Sequence, residues 1–297
     1  MNQLRALVTV LICFWSAVSL ADDVQLSPDL RMHYQKVGTG QTTLLLVPGW
    51  TMSNEVFEKQ LQHYRNSKIY TVYAIDPRGQ GDSSKPVNGY SYVQKGKDLE
   101  AFIHKLKLKN IVLAGWSYGS LDVLSWVSQF SHEQLKALVL IDGPPKTVGN
   151  DNTKEWVWYS RDDADGARRS FTVGSLEARK DFTTEFVKWM LENPTDQAVA
   201  YFSRISYKTS DTVAALTNEA GAYADYSETL EALSASLPVL IVARDEWKTV
   251  TQEWVKVRAP NAKVVAMGKH LMFWERDEEF NAALDTFLQT MIEKAGK

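Results

Sequence analysis

Short apolar runs separated by stretches of helical periodicity predict an α/β protein whose central sheet is mostly parallel and flanked by helices. Three observations carry this expectation. Runs such as Thr43-Leu44-Leu45-Leu46-Val47 and Ala137-Leu138-Val139-Leu140-Ile141 are apolar without alternation, as in strands covered on both faces. Helical spacing fills the gaps, for example Leu99, Phe102, Ile103 and Leu106. Gly115-Trp116-Ser117-Tyr118-Gly119 joins one apolar run directly to a helical one.

Taken in order, Leu30 to Val37 alternates like a half-buried strand, and Gly38-Thr39-Gly40 is a turn. Thr43 to Val47 is the next strand and ends at Pro48-Gly49-Trp50-Thr51. Ser53 to Tyr64 reads as a helix through Val56, Phe57 and Leu61, with Ser53 or Asn54 as its cap. Ile69 to Ile75 is a strand that enters a loop of turn formers, Asp76-Pro77-Arg78-Gly79-Gln80-Gly81-Asp82-Ser83-Ser84. A helix over Tyr92 to Leu106, the strand Asn110 to Ala114, a helix over Leu121 to Val127 and the strand Ala137 to Asp142 follow. Residues 144–236 then interrupt the alternation for longer than an ordinary crossover. This stretch is polar overall but rich in aromatics, with Phe182, Phe186, Trp189 and Met190 at helical spacing. It is expected to be a helical cap inserted after the strand Ala137 to Asp142, its aromatics forming its own core and the underside of a lid. Strands over Pro238 to Ala243 and Ala262 to Met267 resume the pattern, and a helix through Phe280, Leu284 and Ile292 closes it. The expected organisation is a leader over 1–21, a core over 22–143 and 237–297, and the cap over 144–236.

Composition narrows the function. Of 297 residues, 44% are hydrophobic and 23% charged, ordinary for a globular chain, and the formal charge is −3. No basic surplus points to nucleic acid, and no polybasic cluster points to anionic lipid. Met1 to Arg5 carries one positive charge, Ala6 to Leu20 is uncharged and mostly apolar, and Ser19-Leu20-Ala21 ends it with small residues before Asp22-Asp23. This pattern predicts a bacterial-type signal peptide cleaved after Ala21, hence a secreted or periplasmic protein with no membrane anchor after cleavage. A transmembrane anchor would need about 20 apolar residues. The single cysteine, Cys13, lies inside the leader, so no disulfide or thiolate site is expected in the mature chain. No two of the five histidines have ligand spacing, and neither a metal nor a cofactor is expected.

A serine at a strand-to-helix turn is lifted off the sheet and set at a helix N-terminus, where free N–H groups favour developing negative charge. The flanking glycines leave room for that bend. Ser117 is therefore the candidate nucleophile. It needs a base, and His270, in the loop after the last strand, is the best placed of the histidines. With Leu46-Val47-Pro48-Gly49-Trp50, the loop from Asp76 to Ser83, the serine turn and His270-Leu271-Met272-Phe273-Trp274-Glu275, the chain resembles the α/β-hydrolase superfamily over nearly all of its length after the leader. The resemblance implies catalytic residues in the order serine, acid, histidine, and an oxyanion hole built from the backbone N–H groups of Tyr118 and Trp50. Ser rather than Asp at 117 argues against the branches that use a carboxylate nucleophile. The acid is less direct. Ala243-Arg244-Asp245-Glu246-Trp247-Lys248-Thr249 is slightly shorter than the family's usual text. Alignment through Thr249 selects Glu246, the expected acid. Alignment by residue type selects Asp245, and Asp142 is a third candidate that could instead brace the loop into the cap. Asp76, Arg78 and Asp82 are read as structural.

The sequence thus predicts a secreted serine hydrolase that cleaves a small-molecule ester with a largely apolar acyl or alcohol group, through an acyl-enzyme. The same residues could act on a lactone, an amide or a carbon–carbon bond, or transfer an acyl group. A binding protein that kept the fold is the non-enzymatic alternative. The oligomeric state is not set by these features.

Overall fold

The computed structural model describes residues 20–295. Its strands are β1 (Leu20–Ser27), β2 (Leu30–Gly38), β3 (Thr42–Val47), β4 (Tyr70–Ile75), β5 (Ile111–Trp116), β6 (Leu135–Ile141), β7 (Val148–Gly149), β8 (Tyr159–Ser160), β9 (Val239–Ala243) and β10 (Lys263–Ala266). Its helices are α1 (Glu58–Tyr64), α2 (Tyr92–Lys105), α3 (Gly119–Gln129), α4 (Arg161–Glu177), α5 (Arg179–Met190), α6 (Asp196–Tyr207), α7 (Asp211–Gly221), α8 (Ser227–Ser234), α9 (Lys248–Arg258), α10 (Met272–Glu275) and α11 (Asp277–Ala295).

Eight strands form one sheet in the order β1-β2-β4-β3-β5-β6-β9-β10. β1, β2 and β4 pair antiparallel in succession, and β4 through β10 are parallel. The expected α/β class and mostly parallel sheet are what the chain forms. Successive residues of β3 explain its unbroken apolar run. Leu44 and Leu46 join the layer containing α1 and α11, while Leu45 and Val47 join the layer containing α2 and α3. All four are at most 1% exposed. Truncating one of them to alanine would cost about 2–5 kcal/mol.

Some elements were not foreseen. β1 pairs with β2 from Leu20↔Lys36 onward, and α9 lies between β9 and β10. The expected helix over Ser53 to Tyr64 begins as a 3-10 turn over Asn54–Phe57, capped by Ser53, before α1. The leader expected over 1–21 lies outside the described residues as far as residue 19, and Leu20 and Ala21 open β1. Among the described residues no helix is long and apolar enough to cross a membrane.

The expected helical insertion between β6 and β9 contains α4 to α8. Its parts differ in attachment. Leu230 and Leu233 of α8 pack into the core layer on the α3 side, so α8 belongs with the sheet. Helices α4 to α7 form the cover. It is rooted through Val187, Met190, Phe202 and Ile205, which are buried against Met272 and Phe273. It is also fastened to the turn after β3: Ser206 Oγ lies 2.9 Å from Thr51 Oγ1, and Thr209 Oγ1 donates to the Thr51 carbonyl at 3.0 Å.

Candidate active site

Ser117 follows β5 directly and has φ +55°, the left-handed region that disfavours a side chain. Holding a non-glycine residue there costs on the order of 1–3 kcal/mol, and only closely fitted surroundings keep it so. Those surroundings are glycines. A Cβ on Gly115 would lie 2.5 Å from the Gly119 carbonyl oxygen, and one on Gly119 would lie 2.5 Å from the Val47 oxygen. The bend is pinned by Ser117 N–H donating to Ile141 O at 2.8 Å. α3 starts at Gly119, so Tyr118 presents its amide at the positive end of that helix.

His270 is 1% exposed and its Nδ1 lies 2.5 Å from Oδ2 of Asp142, itself fully buried. A carboxylate only accepts, so Nδ1 carries the proton and Nε2 keeps its lone pair. Nε2 is buried and bonded to no other group among the described residues. Asp142 stands immediately after β6 with φ +43°, and its amide donates to Val242 O at 2.7 Å. The loop of His270 is held from below by Trp116, whose Nε1 donates to the His270 carbonyl at 2.9 Å.

The carboxylate that holds His270 is therefore Asp142, and the expectation of Glu246 is corrected. The chain after β9 turns at once into a 3-10 turn, Asp245–Trp247, which leaves Glu246 exposed at the cavity mouth. Asp245 ties that turn to the loop before His270: Gly268 N–H donates to Asp245 Oδ2 at 2.9 Å, and Asp245 N–H to Gly268 O at 3.0 Å. The residue facing inward is Arg244, 5% exposed. Its amide donates to Asp142 Oδ1 at 3.0 Å, and its Nε lies 3.3 Å from Oδ2.

Burial pushes the Asp142 carboxyl upward, but the Arg244 charge and the His270 hydrogen bond outweigh it and hold the group below the ordinary carboxylate value. Burial also pulls the His270 imidazole below its ordinary value, because desolvation disfavours the charged ring. The Asp142 hydrogen bond opposes that fall, and the Arg244 charge adds to it.

The turn after β3 sits beside the serine. A Cβ on Gly49 would lie 2.7 Å from the Ser117 Cβ, so the main chain at Gly49-Trp50 can approach only without one. Gln80 fixes this turn by donating through Nε2 to the carbonyls of Gly49 at 2.8 Å and Met52 at 2.6 Å. Its Oε1 accepts from Lys95 Nζ at 3.2 Å, and Lys95 pairs with Asp122 of α3 at 3.2 Å. All three side chains are buried. Sequence reading missed this chain because its members come from separate segments and share no motif that links them. Desolvation pushes Asp122 up to about 6, against the pull of Lys95. The neighbouring loop residues act structurally. Arg78 makes a forked pair with Asp98 at 2.7 and 2.8 Å, and Asp76 accepts from Asn54 and from the Asp82 amide.

Ser117, His270, Trp50 and Tyr118 all line one cavity of about 540 Å³, within the range of small-molecule sites. Its other walls are mainly Phe171, Phe182, Phe186 and Trp189 from the cover, and Trp158 with Trp247 against it; the rings of Trp158 and Trp189 lie 5.5 and 5.1 Å from His270. Trp50 meets Phe171 and Phe186 edge-on at 5.3 and 5.4 Å, and its indole N–H donates to the Ala214 carbonyl of α7 at 2.8 Å. Away from this cavity, His33, Asp76 and Asp82 offer ligand atoms within 4.8 Å of one another. Those groups are already engaged, His33 with Asp23 and Asp82 with Lys208.

The profile of the alpha/beta hydrolase fold family matches residues 42–277, and the chain belongs to that family of hydrolases. A Synechocystis protein carried under the name non-heme chloroperoxidase is 26% identical over 280 residues, 89% of this chain and 96% of its own length. The bromoperoxidase from Bacillus anthracis superposes with a TM-score of 0.81 at 24% identity, covering 91% of this chain and 100% of that one. An esterase from Exiguobacterium antarcticum superposes with a TM-score of 0.79 at 19% identity, over 91% and 100% of the two chains.

Proposed function

We propose that the protein is a serine hydrolase that cleaves a small ester with a largely apolar portion through an acyl-enzyme. The observation that carries this reading is the buried Asp142–His270 pair, which leaves Nε2 without a partner among the described residues, in a residue that lines the same cavity as Ser117. In this reading Ser117 Oγ attacks the ester carbonyl while Nε2 of His270 takes its proton. Asp142 stabilises the imidazolium that forms. The carbonyl oxygen gains the negative charge and accepts hydrogen bonds from the backbone N–H groups of Trp50 and Tyr118. Among the described residues, neither amide is spent on a backbone carbonyl in a turn or loop. A donor of this type is worth roughly 3–4 kcal/mol. The tetrahedral intermediate collapses, and the alcohol leaves with the proton from His270. Water then attacks the acyl-serine, giving its proton to His270, and the acid departs as Ser117 is reprotonated. The aromatic walls suit an apolar acyl or alcohol group.

The test is Ser117→Ala. The variant should lose at least about 10³-fold in turnover of p-nitrophenyl butyrate while keeping its circular dichroism and melting temperature. Undiminished turnover would eliminate the mechanism. The base works only when neutral, so its lowered pKa places the acid limb of kcat/KM below the ~6.5 of an ordinary imidazole. We further propose export, on the composition of residues 1–21. Amino-terminal sequencing of the secreted protein should then begin at Asp22.

A further inference from the structure

We propose that Arg244 is an anion-binding residue of the active-site cavity and that preferred substrates carry a carboxylate. The inference rests on the serine-hydrolase reading and names the substrate class of that same site.

Arg244 is almost fully buried, yet it lines the cavity together with Ser117 and His270. Its guanidinium lies 3.6 Å over the ring of Trp247, with the rings of Trp158 and Trp189 at 5.2 and 5.0 Å. Stacking of this kind occupies the faces of the group and leaves its N–H edge for hydrogen bonds. Its ion pair to the protein runs through Nε to Asp142, and that contact lacks hydrogen-bond alignment. The terminal Nη1 and Nη2 make no hydrogen bond among the described residues. They form a fixed fork, the geometry that matches the two oxygens of a carboxylate.

One carboxylate, Asp142, serves both Arg244 and His270, so the guanidinium has no carboxylate to itself among the described residues. Bracing Asp142 would require only the Nε end and leaves the terminal nitrogens without a hydrogen-bond partner among the described residues. Glu185 and Glu246 also line the cavity, but both are exposed, and Glu185 is paired with Lys188 at 2.8 Å. Their repulsion is screened by solvent, whereas the field of the buried guanidinium is screened much less.

The experiment is competition against hydrolysis of the neutral ester p-nitrophenyl acetate by butyrate and by its uncharged counterpart butyramide. Butyrate should inhibit the wild type competitively and at least about tenfold more tightly than butyramide, and Arg244→Gln should abolish that preference. A purely structural role would weaken both inhibitors alike. Equal inhibition of the wild type, or a preference that survives Arg244→Gln, overturns the proposal. Should that variant fail to fold, the wild type still decides: kcat/KM for p-nitrophenyl hemiglutarate should exceed that for the valerate by about tenfold or more. A protein that hydrolyses neutral esters and takes a fluorophosphonate on Ser117 but ignores the carboxylate refutes this inference alone. A protein that does neither refutes the hydrolase reading beneath it.

Discussion

The two walls of the cavity are built on opposite terms. Beneath Ser117, every residue of β5 is buried, and all of α3 from Gly119 to Val127 is buried as well. Across the cavity, α4 buries only Ala164 and Ser175 of its 17 residues, and α5 buries Thr183, Val187 and Met190. Val173, Leu176 and Trp189 of these helices are between 44% and 52% exposed. The floor therefore has close packing on all sides, enough to hold Ser117 and Asp142 at positive φ. The roof has few buried contacts per residue, which is the condition for local opening below the global unfolding free energy. For the proposed reaction, a rigid floor suits a fixed reacting geometry and a looser roof suits the entry of substrate.

Breaking the floor should have the largest effects. Asp142→Asn leaves His270 without its charged partner and should lower kcat by roughly 10³–10⁴-fold. Glu246→Gln, at the rim, should leave kcat nearly unchanged. Measured side by side with one ester, the reverse order would return the acid to Glu246. Asp122→Asn strands a buried Lys95 under the turn that Gln80 holds. Removing one partner of a buried pair costs about 3–5 kcal/mol. At that cost the melting temperature should fall by roughly 10 °C, and an unshifted melt would show that the pair contributes nothing. Loosening the roof should do less. Phe182→Ala should raise KM for a butyrate ester roughly fivefold, the effect of losing about 1 kcal/mol of apolar contact, with kcat and melting temperature nearly unchanged. A large fall in its melting temperature would mean that the roof is packed as tightly as the floor.

How much was legible follows the same division. β3, β5, β6 and β9 lie between two core layers, so their apolar runs announced them. Ser117 and His270 were readable because each stands at a junction with a strong local signature, and the structure brings both to one cavity. β1 escaped notice because it is an edge strand: Ala21, Asp22 and Asp23 are exposed and it shows no continuous apolar run. The acid was misassigned because sequence distance hides it. Asp142 is 128 positions from His270 and meets it only because β6, β9 and β10 lie side by side in the sheet. Asp245 and Glu246 carried the right chemistry at nearly the right place, but the early 3-10 turn pointed Arg244 inward instead. The Gln80, Lys95 and Asp122 chain likewise depends on three-dimensional neighbours that a linear pattern does not display.

Mass mapping after treatment with a fluorophosphonate tests the central assignment most directly. The account predicts a single covalent adduct, on Ser117, formed at a similar rate in the wild type and Glu246→Gln and far more slowly in Asp142→Asn. No adduct, an adduct on another residue, or rapid labelling of Asp142→Asn would contradict it.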